Sequence, residues 1–415
     1  WEDLRGFLSQ VEERGLALNY STLVGQGSIR AAAMGFGGRR PTTDELELMK
    51  KMVTRSMEQG ALGLSTGLEY TPGSSADAGE IIELCRSIAP YKGVYATHMR
   101  DEEDGVLEAL DEAIRISRGA RVKLQISHLK VGRPRNWPKV DRALAKIEQA
   151  RAEGIDVFCD RYPYIASATD LSVFFPLWSR EDGTDAFISR LKDPAFDACL
   201  RADVAEQEKG IGSWDKVVIS SVSSDVNRWT QGKNVVEAAR RAGKEPYEFM
   251  RDLLIEEKSR VGMISFYGNE DVLKRILAHP LAGVGSDGSA VAPYGILNKG
   301  NPHPRLYGTF PRFMGKYVRG EKLLPLEEAV RKITSLPASH FGFSKRGVLA
   351  AGCHADIVVF DPDKILDLAT WNEPARYPAG IRYVIVNGVV VVDGEEHTGK
   401  LPGKVLRKQR QGSVI

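Results

Sequence analysis

The segments VYATH (residues 94–98) and LQISH (residues 124–128) decide the fold prediction, because each is a short apolar run that ends in a histidine. They lie one strand–helix repeat apart in the chain. A third apolar run, within the sequence AGVGSDG, leads to Asp287. In a (β/α)8 barrel the carboxyl ends of all strands meet at one mouth, so we expect His98, His128 and Asp287 to surround one metal ion. This arrangement predicts metal-assisted hydrolysis.

The composition is that of an ordinary globular enzyme, with 42% of the 415 residues hydrophobic and 27% charged. The net charge of +2 gives no reason to expect nucleic acid or an anionic membrane as a partner. No apolar run approaches the roughly 18 residues that cross a bilayer, so we expect no membrane span. The four cysteines form no CxxC pair, which is typical of reduced thiols and predicts a cytoplasmic protein. A small molecule is therefore the expected partner, and the sequence leaves the oligomeric state open.

Alternating strand and helix patterns fill the first part of the chain, as expected for an α/β fold built on a parallel sheet. The sequence predicts six such strands, whereas a (β/α)8 barrel closes only with eight. Either the sheet is open, with two unpaired strand edges, or two strands of a barrel are missing from this chain. The predicted strands are residues 18–24, 62–65, 94–98, 123–128, 157–162 and 283–287.

The sequence divides into four regions. Residues 1–172 are expected to form strands 3–7 of the barrel, and residues 279–345 the barrel end with strand 8. Residues 173–278, mostly helical in pattern, are expected to be an insertion in a βα loop, where insertions often form lids. Residues 346–415 are rich in β-forming residues and contain an Asn-Gly turn pair, which predicts a small C-terminal β-sandwich module. Its basic stretch at 404–411 is expected to be a solvated tail.

The histidines and the aspartate each have a structural alternative. A single histidine at a strand end is more often structural than a metal ligand. Two at equivalent positions of consecutive repeats favour the ligand role, because both would point into the same mouth. Asp287 fits a turn or a helix N-cap, or else a general base that also binds metal weakly. We favour the base, which would take a proton from water and return it to a leaving amine.

Four further residues near predicted strand ends are candidates for holding a substrate. Arg305, after the last barrel strand, could grip a carboxylate through two parallel hydrogen bonds, although most arginines simply lie on the surface. Tyr70, Ser167 and Lys130 could each donate a hydrogen bond to a substrate oxygen, and loop packing is an equal alternative for each. Four histidines without matching partners are predicted to be structural or exposed: His279, His340, His354 and His397.

With these residues identified, the chain resembles the N-acyl-D-amino-acid deacylases (D-aminoacylases) of the amidohydrolase superfamily over nearly its whole length. The resemblance rests on several motifs that occur in the family's order. They are GALGLSTGLEY at residues 60–70, THMR at 97–100, SHLK at 127–130, DRYPY at 160–164, GSDG at 285–288, HPRLYGTF at 303–310, PARYP at 374–378 and VNGVVVVDG at 386–394.

This resemblance implies a distorted (β/α)8 barrel, a small β-sandwich and one or two divalent metal ions, usually Zn²⁺. It implies His98 and His128 as metal ligands and Asp287 as the catalytic acid/base. The substrate contacts that it implies are Arg305, Tyr70, Lys130 and Ser167.

The chain also departs from the family. The His-x-His pair of the family's first barrel strand and the metal-bridging cysteine of its second are not found in this sequence. The chain begins with Trp1 rather than Met, and two strands are missing. We therefore expect an N-terminally truncated chain that lacks part of its metal site. Gln26 stands where members of the family often have histidine.

The activity that the resemblance implies is metal-dependent hydrolysis of N-acyl-D-amino acids to a carboxylate and a free D-amino acid. Zinc and Tyr70 would stabilise the oxyanion, Asp287 would move the proton, and Arg305 would hold the α-carboxylate. Two alternatives stay open at this point. One is an amidohydrolase that opens cyclic amides, as dihydroorotases and hydantoinases do, and the other is a catalytically degenerate binding protein.

Overall fold

The computed structural model describes residues 2–415, which contain thirteen strands and fifteen α-helices. The strands are β1 (Val24–Gly25), β2 (Gly63–Gly67), β3 (Val94–His98), β4 (Lys123–Ile126), β5 (Val157–Arg161), β6 (Ala166–Asp170), β7 (Val217–Ser221), β8 (Gly262–Phe266), β9 (Ala282–Val284), β10 (Ile357–Phe360), β11 (Ile381–Val386), β12 (Val389–Asp393) and β13 (Glu396–His397). The helices are α1 (Leu4–Arg14), α2 (Gln26–Met34), α3 (Thr43–Glu58), α4 (Ala78–Arg86), α5 (Val106–Ala120), α6 (Val140–Ala152), α7 (Leu177–Arg180), α8 (Thr184–Lys192), α9 (Pro194–Ile211), α10 (Val235–Ala242), α11 (Pro246–Glu256), α12 (Glu270–Ala278), α13 (Arg305–Arg312), α14 (Leu326–Ile333) and α15 (Ser335–Phe341). Among these helices, none combines the length and the hydropathy needed to cross a membrane.

Six strands form one parallel sheet in the order β1-β2-β3-β4-β5-β9. Helices α4, α5 and α6 connect consecutive strands from β2 to β5, so this part consists of repeated strand–helix units. Leu64, Tyr95, Leu124 and Val157 are aligned across these four strands and are almost completely buried. Because this apolar row fixes the register, the carboxyl ends of the strands lie at one level. Within residues 2–415, β1 and β9 are the two edges of the sheet.

The strand predictions differ in how well their ends are placed. The prediction for β3 is confirmed to the residue. β4 ends at Ile126 rather than at His128, which has a left-handed φ of 40°. The prediction of a strand over 18–24 is largely wrong, because only Val24–Gly25 joins the sheet. Tyr20 instead forms an isolated bridge to Val405, near the C-terminus.

A second unit lies between β5 and β9 along the chain. It contains helices α7–α11 and a three-stranded antiparallel sheet in the order β6-β8-β7. Its own apolar core includes Phe175, Trp214 and Leu254. The sequence analysis expected mostly helix here and missed the sheet, because β6 reads ASATD and has no apolar residue larger than alanine. The expected division of the chain into four regions stays a prediction.

The C-terminal part forms a four-stranded antiparallel sheet in the order β10-β11-β12-β13. Asn387 and Gly388 have positive φ values of 48° and 82° between β11 and β12, as the predicted hairpin requires. The expectation of a solvated tail is wrong. Leu406 and Lys408 are buried, and the backbone N–H of Leu406 donates to the carbonyl of Tyr20 at 2.7 Å. The tail is therefore part of the packed structure at the N-terminal segment.

Candidate active site

A cavity of about 560 Å³ opens at the carboxyl ends of the parallel strands. Side chains that follow β2, β3 and β4 line one wall. The opposite wall comes from the inserted unit, through β6, β8 and the segment 173–177. All the residues predicted for the site lie in the lining: His98, His128, Asp287, Arg305, Tyr70, Lys130 and Ser167. The fold thus brings together side chains that are up to 235 residues apart in the sequence, and their roles remain predictions.

The two histidines face each other directly. His98 Nδ1 lies 3.1 Å from His128 Nε2, and the ring centroids are 4.7 Å apart. His98 is the last residue of β3, whereas His128 lies two residues beyond β4. The backbone N–H of His128 donates to Asp160 Oδ1 at 2.8 Å. This bond and the left-handed backbone hold the His128 ring over the neighbouring strand.

The outer nitrogen of each histidine contacts a glutamate. His98 Nε2 lies 2.8 Å from Glu69 Oε2, and His128 Nδ1 lies 2.9 Å from Glu102 Oε1. The sequence analysis missed both glutamates as site residues. The available signals were that Glu69 follows the end of β2 and that Glu102 lies four residues after His98, in the loop that leaves β3.

Lys130 completes a buried charged group beside His128. Its Nζ lies 2.5 Å from Glu102 Oε2 and 2.7 Å from His128 Nδ1. Burial raises the pKa of the Glu102 carboxyl, but Lys130 and the two histidines together hold it well below its usual range. Burial and the ammonium of Lys130 lower the pKa of His128, so the neutral imidazole is favoured. A neutral imidazole beside an ionised carboxylate is the form that binds metal ions.

The histidine pair fits a metal ion such as zinc. When the outer nitrogens donate to Glu69 and Glu102, the inner nitrogens, His98 Nδ1 and His128 Nε2, present lone pairs to each other. Two lone pairs this close repel unless a cation or a proton lies between them. Two nitrogens bound about 2.0–2.1 Å from one tetrahedral zinc ion are roughly 3.3 Å apart, close to the observed 3.1 Å. Glu102 is the third potential ligand, since one donor atom from each of the three residues lies within 4.8 Å of the others.

Asp287 lines the same cavity as the histidines and lies in a loop after β9. Its φ of 47° is left-handed, and its side chain is 39% exposed. Asp287 Oδ2 lies 2.9 Å from Arg305 Nη1. The acid therefore has an exposed face in the cavity and a cationic neighbour.

Arg305 is buried at the start of α13 and is held by its surroundings. The Nδ1 atom of His303 accepts a hydrogen bond from the backbone N–H of Arg305 at 2.9 Å. His303 Nε2 donates to the carbonyl of Ala166 at 3.1 Å. Arg305 Nη2 donates to the carbonyl of Ala168 at 3.4 Å. Its Nε and Nη1 have no hydrogen-bond partner among the described residues. A buried guanidinium with unused donors that faces a cavity is suited to bind an anion.

Tyr70 follows β2, and its hydroxyl reaches β6, the strand that contains Ser167. Tyr70 Oη is 3.1 Å from Thr169 Oγ1, and its ring is 4.9 Å from that of His98. Burial and the Glu69 carboxylate raise the pKa of Tyr70, which keeps the phenol protonated as a donor. Ser167 belongs to β6 and lines the cavity.

The comparison with protein families decides which group the chain belongs to. The model of the amidohydrolase family matches residues 17–392. The chain belongs to the amidohydrolase family.

Relatives of this amidohydrolase are similar over almost its whole length. An N-acyl-D-glutamate deacylase from Alcaligenes xylosoxydans xylosoxydans is 35% identical over 98% of this chain and 73% of its own length. A D-aminoacylase from the same organism is 36% identical over 98% of this chain and 74% of its own. The crystal structure of N-acyl-D-glutamate deacylase from Bordetella bronchiseptica, in complex with zinc and a phosphonate inhibitor that mimics the tetrahedral intermediate, matches with a TM-score of 0.82. That match has 35% identity and covers 98% of this chain and 75% of that one.

These comparisons confirm the resemblance and the fold class predicted from the sequence. The parallel sheet with its outer helices and the separate antiparallel β module are those of a D-aminoacylase-like amidohydrolase. The six parallel strands of this chain correspond to the (β/α)8-type barrel predicted for the family.

Proposed function

We propose that this amidohydrolase cleaves the amide bond of N-acyl-D-amino acids, releasing a carboxylate and a free D-amino acid. One observation carries the proposal: His98 Nδ1 and His128 Nε2 face each other at 3.1 Å in a cavity that also holds an acid and an arginine. The 35–36% identity to two deacylases across the whole chain supports the same activity. The substrate would be a small molecule that fits a cavity of about 560 Å³.

The residues that would hold Zn²⁺ are His98 and His128, with Glu102 close enough to contribute a carboxylate oxygen. When bound, the ion supplies Lewis-acid polarisation of the amide carbonyl and lowers the pKa of water. Glu69 and Glu102 would orient the two imidazoles by accepting their outer N–H groups.

Asp287 is the proposed general base and acid. Its exposed carboxylate would take the proton of the attacking water and pass it to the nitrogen of the departing amine. The ion pair with Arg305 would hold this carboxylate in the cavity before the substrate arrives.

Arg305 is proposed to bind the α-carboxylate of the substrate. Its Nε has no hydrogen-bond partner among the described residues and is free to donate to a carboxylate. Binding there would turn Nη1 from Asp287 toward the substrate and leave Asp287 free to accept a proton. The α-carboxylate would thus both position the substrate and release the base.

Tyr70, Lys130 and Ser167 are proposed to donate hydrogen bonds to the substrate. Tyr70 lies beside His98 and stays protonated, which suits it to stabilise the developing oxyanion. Lys130 and Ser167 lie on opposite walls of the cavity, so both sides of a bound substrate would meet a donor.

Turnover of matched substrates tests the proposal. The zinc-supplemented protein is incubated with N-acetyl-D-amino acids, their L-enantiomers, and the cyclic amides dihydroorotate and a substituted hydantoin. We expect release of acetate and D-amino acid from the D-series alone. Ring opening without release of acetate would favour the cyclic-amide alternative. Absence of both reactions, with less than one zinc bound per chain, would favour a degenerate binding protein.

A further inference from the structure

Five basic side chains line the cavity, and four of them have a carboxylate partner. The partnered pairs are Arg100 with Glu112 at 2.9 Å, Lys130 with Glu102 at 2.5 Å, Arg133 with Glu103 at 2.5 Å and Arg305 with Asp287 at 2.9 Å. The fifth, Arg180, has no carboxylate oxygen within 4 Å of its nitrogens anywhere in residues 2–415. Among the described arginine and lysine side chains of the cavity lining, Arg180 is thus the one without a carboxylate partner.

The backbone that presents Arg180 is firmly held. Arg180 is the last residue of α7, in the inserted unit. Thr71 Oγ1 donates to its carbonyl at 3.4 Å, and Arg190 Nη1 donates to the neighbouring carbonyls of Ser179 and Glu181 at 3.1 and 2.6 Å. The backbone of Arg180 is therefore held at the cavity wall, and its side chain also borders a smaller neighbouring cavity.

The surroundings of the guanidinium leave its charge uncompensated. Its Nε atom is sealed from solvent and has no hydrogen-bond partner in the described part of the chain. Burial lowers the pKa of Arg180, and Glu69, Tyr70 and Asp170 oppose this only at longer range. A buried guanidinium without an anion is unfavourable, whereas one that gains a carboxylate forms a strong charge-assisted pair.

We infer that Arg180 binds a second carboxylate of the substrate, so that the enzyme prefers dicarboxylic N-acyl-amino acids. The inference rests on the proposed function, in which Arg305 takes the α-carboxylate. Arg305 and Arg180 line the same cavity, so one dicarboxylic substrate would meet a guanidinium group with each of its carboxylates.

Sequence identity does not decide this preference, since the glutamate deacylase and the D-aminoacylase are 35% and 36% identical to this chain. Two positions on a substrate could supply the second carboxylate. It could belong to the amino-acid side chain, as in N-acetyl-D-glutamate, or to the acyl group, as in N-succinyl-D-leucine. Both present the same anion to Arg180, so the test must separate them.

The first experiment compares isosteric substrates on the zinc-loaded protein. With N-acetyl-D-glutamate and its neutral isostere N-acetyl-D-glutamine, we expect kcat/KM to favour glutamate by about 30- to 100-fold in the wild type. The Arg180→Gln variant should bring this ratio close to one, and Arg180→Lys should restore part of it. The matched control is Arg228→Gln, an arginine of the same inserted unit whose side chain is 70% exposed, and it should keep the wild-type ratio.

N-succinyl-D-leucine and N-acetyl-D-leucine form the second arm. Suppose that the wild type prefers the succinyl compound to the acetyl compound, that Arg180→Gln loses this preference, and that the glutamate pair shows no such preference. The carboxylate that Arg180 binds is then on the acyl group. If Arg180→Gln lowers kcat/KM equally for charged and neutral members of both pairs, Arg180 is only structural and the inference is wrong.

A binding experiment keeps the inference testable even if no substrate turns over. Titration calorimetry with N-acetyl-D-glutamate and N-acetyl-D-glutamine measures the same ratio as dissociation constants. The wild type should bind N-acetyl-D-glutamate at least ten-fold more tightly than N-acetyl-D-glutamine, and Arg180→Gln should lose this difference. That result without hydrolysis would support the carboxylate site and contradict the proposed function. Equal binding of both compounds by the wild type, together with equal binding of the two leucine compounds, would overturn the inference.

Discussion

The two ends of the parallel sheet both bury ionisable side chains, but they give them different partners. At the carboxyl ends, His98, His128, Glu102 and Lys130 contact one another and face a cavity. At the amino ends, lysines bind backbone carbonyls, and Lys123 Nζ also lies 3.2 Å from Asp156 Oδ2. Lys332 Nζ, on a fully buried side chain, donates to the carbonyls of His279 and Ala282, and Lys123 Nζ donates to that of His340 at 2.9 Å.

This difference separates a structural buried charge from one that can act on a ligand. A backbone carbonyl is a fixed acceptor, so a lysine bound to it holds two elements together. A side-chain partner can move or exchange when a ligand enters, as Asp287 and Arg305 are proposed to do. Burial alone therefore does not mark a functional site, and His340, a buried histidine at the amino end, illustrates this.

The largest expected effect is at the carboxyl ends, in Asp287→Asn. Removing the proton-transfer group should lower kcat by at least about 100-fold, with zinc content and melting temperature close to those of the wild type. Steady-state kinetics on N-acetyl-D-amino acids measures it. Asp156→Asn, at the amino end beside β5, is the matched control and should keep kcat within about three-fold. Near-wild-type turnover by Asp287→Asn would remove Asp287 from the role of base.

Arg305→Ala should act mainly on substrate binding. Loss of a charge-assisted pair to the α-carboxylate should raise the KM by about 10- to 100-fold, while kcat falls less. Arg331→Ala is the control at the amino end, where Arg331 contacts Glu328 and the carbonyl of Pro280. An unchanged KM for acylated amino acids in Arg305→Ala would show that the carboxylate binds elsewhere.

Lys332 should affect stability rather than turnover. Burial lowers the pKa of Lys332 to about 8, below its ordinary 10.5. Between these two values the unfolded chain keeps the proton and the folded chain does not, so this lysine makes the free energy of unfolding rise with pH across that window. In the wild type, Lys332 should raise the free energy of unfolding by up to about 2 kcal/mol between pH 8 and 9.5. Lys332→Met should lack this rise in denaturant titrations at the two pH values. If the variant instead keeps the slope and loses turnover, the amino end is more than structural.

The smallest expected effect is on metal affinity, in Glu69→Gln. The variant keeps an acceptor for His98 Nε2 but loses the charge that strengthens the imidazole as a ligand, so zinc affinity should fall by about ten-fold. Competition with a chelating dye measures the affinity. Glu83→Gln, which alters a surface pair with Arg86, should leave it unchanged. Equal zinc affinity in both variants would mean that Glu69 does not orient His98.

Several parts of the site were predictable because they depend on local pattern. β3 and His98 follow from a short apolar run that ends in histidine, and the ends of parallel strands necessarily share one mouth. The motif order was sufficient to predict the family, which the match over residues 17–392 confirms. The same pattern brought Asp287 and Arg305 into the predicted site, and both line the cavity.

Other features depended on contacts between distant segments. The sequence placed His128 at a strand end, but its left-handed backbone and its bond to Asp160 set the ring direction. Strand β6 of the inserted unit has little apolar periodicity, because its sequence ASATD contains no large apolar side chain, and it is defined by its pairing with β8.

The sequence by itself determined the parallel α/β fold, the family and part of the cavity lining, because these follow from periodicity and motif order. Only the tertiary structure decided how those side chains are paired. Hydrogen bonds from His98 to Glu69 and from His128 to Glu102 join different segments of the chain, and within residues 2–415 no carboxylate oxygen lies within 4 Å of the Arg180 nitrogens. Such distances are set by packing, which no local pattern encodes.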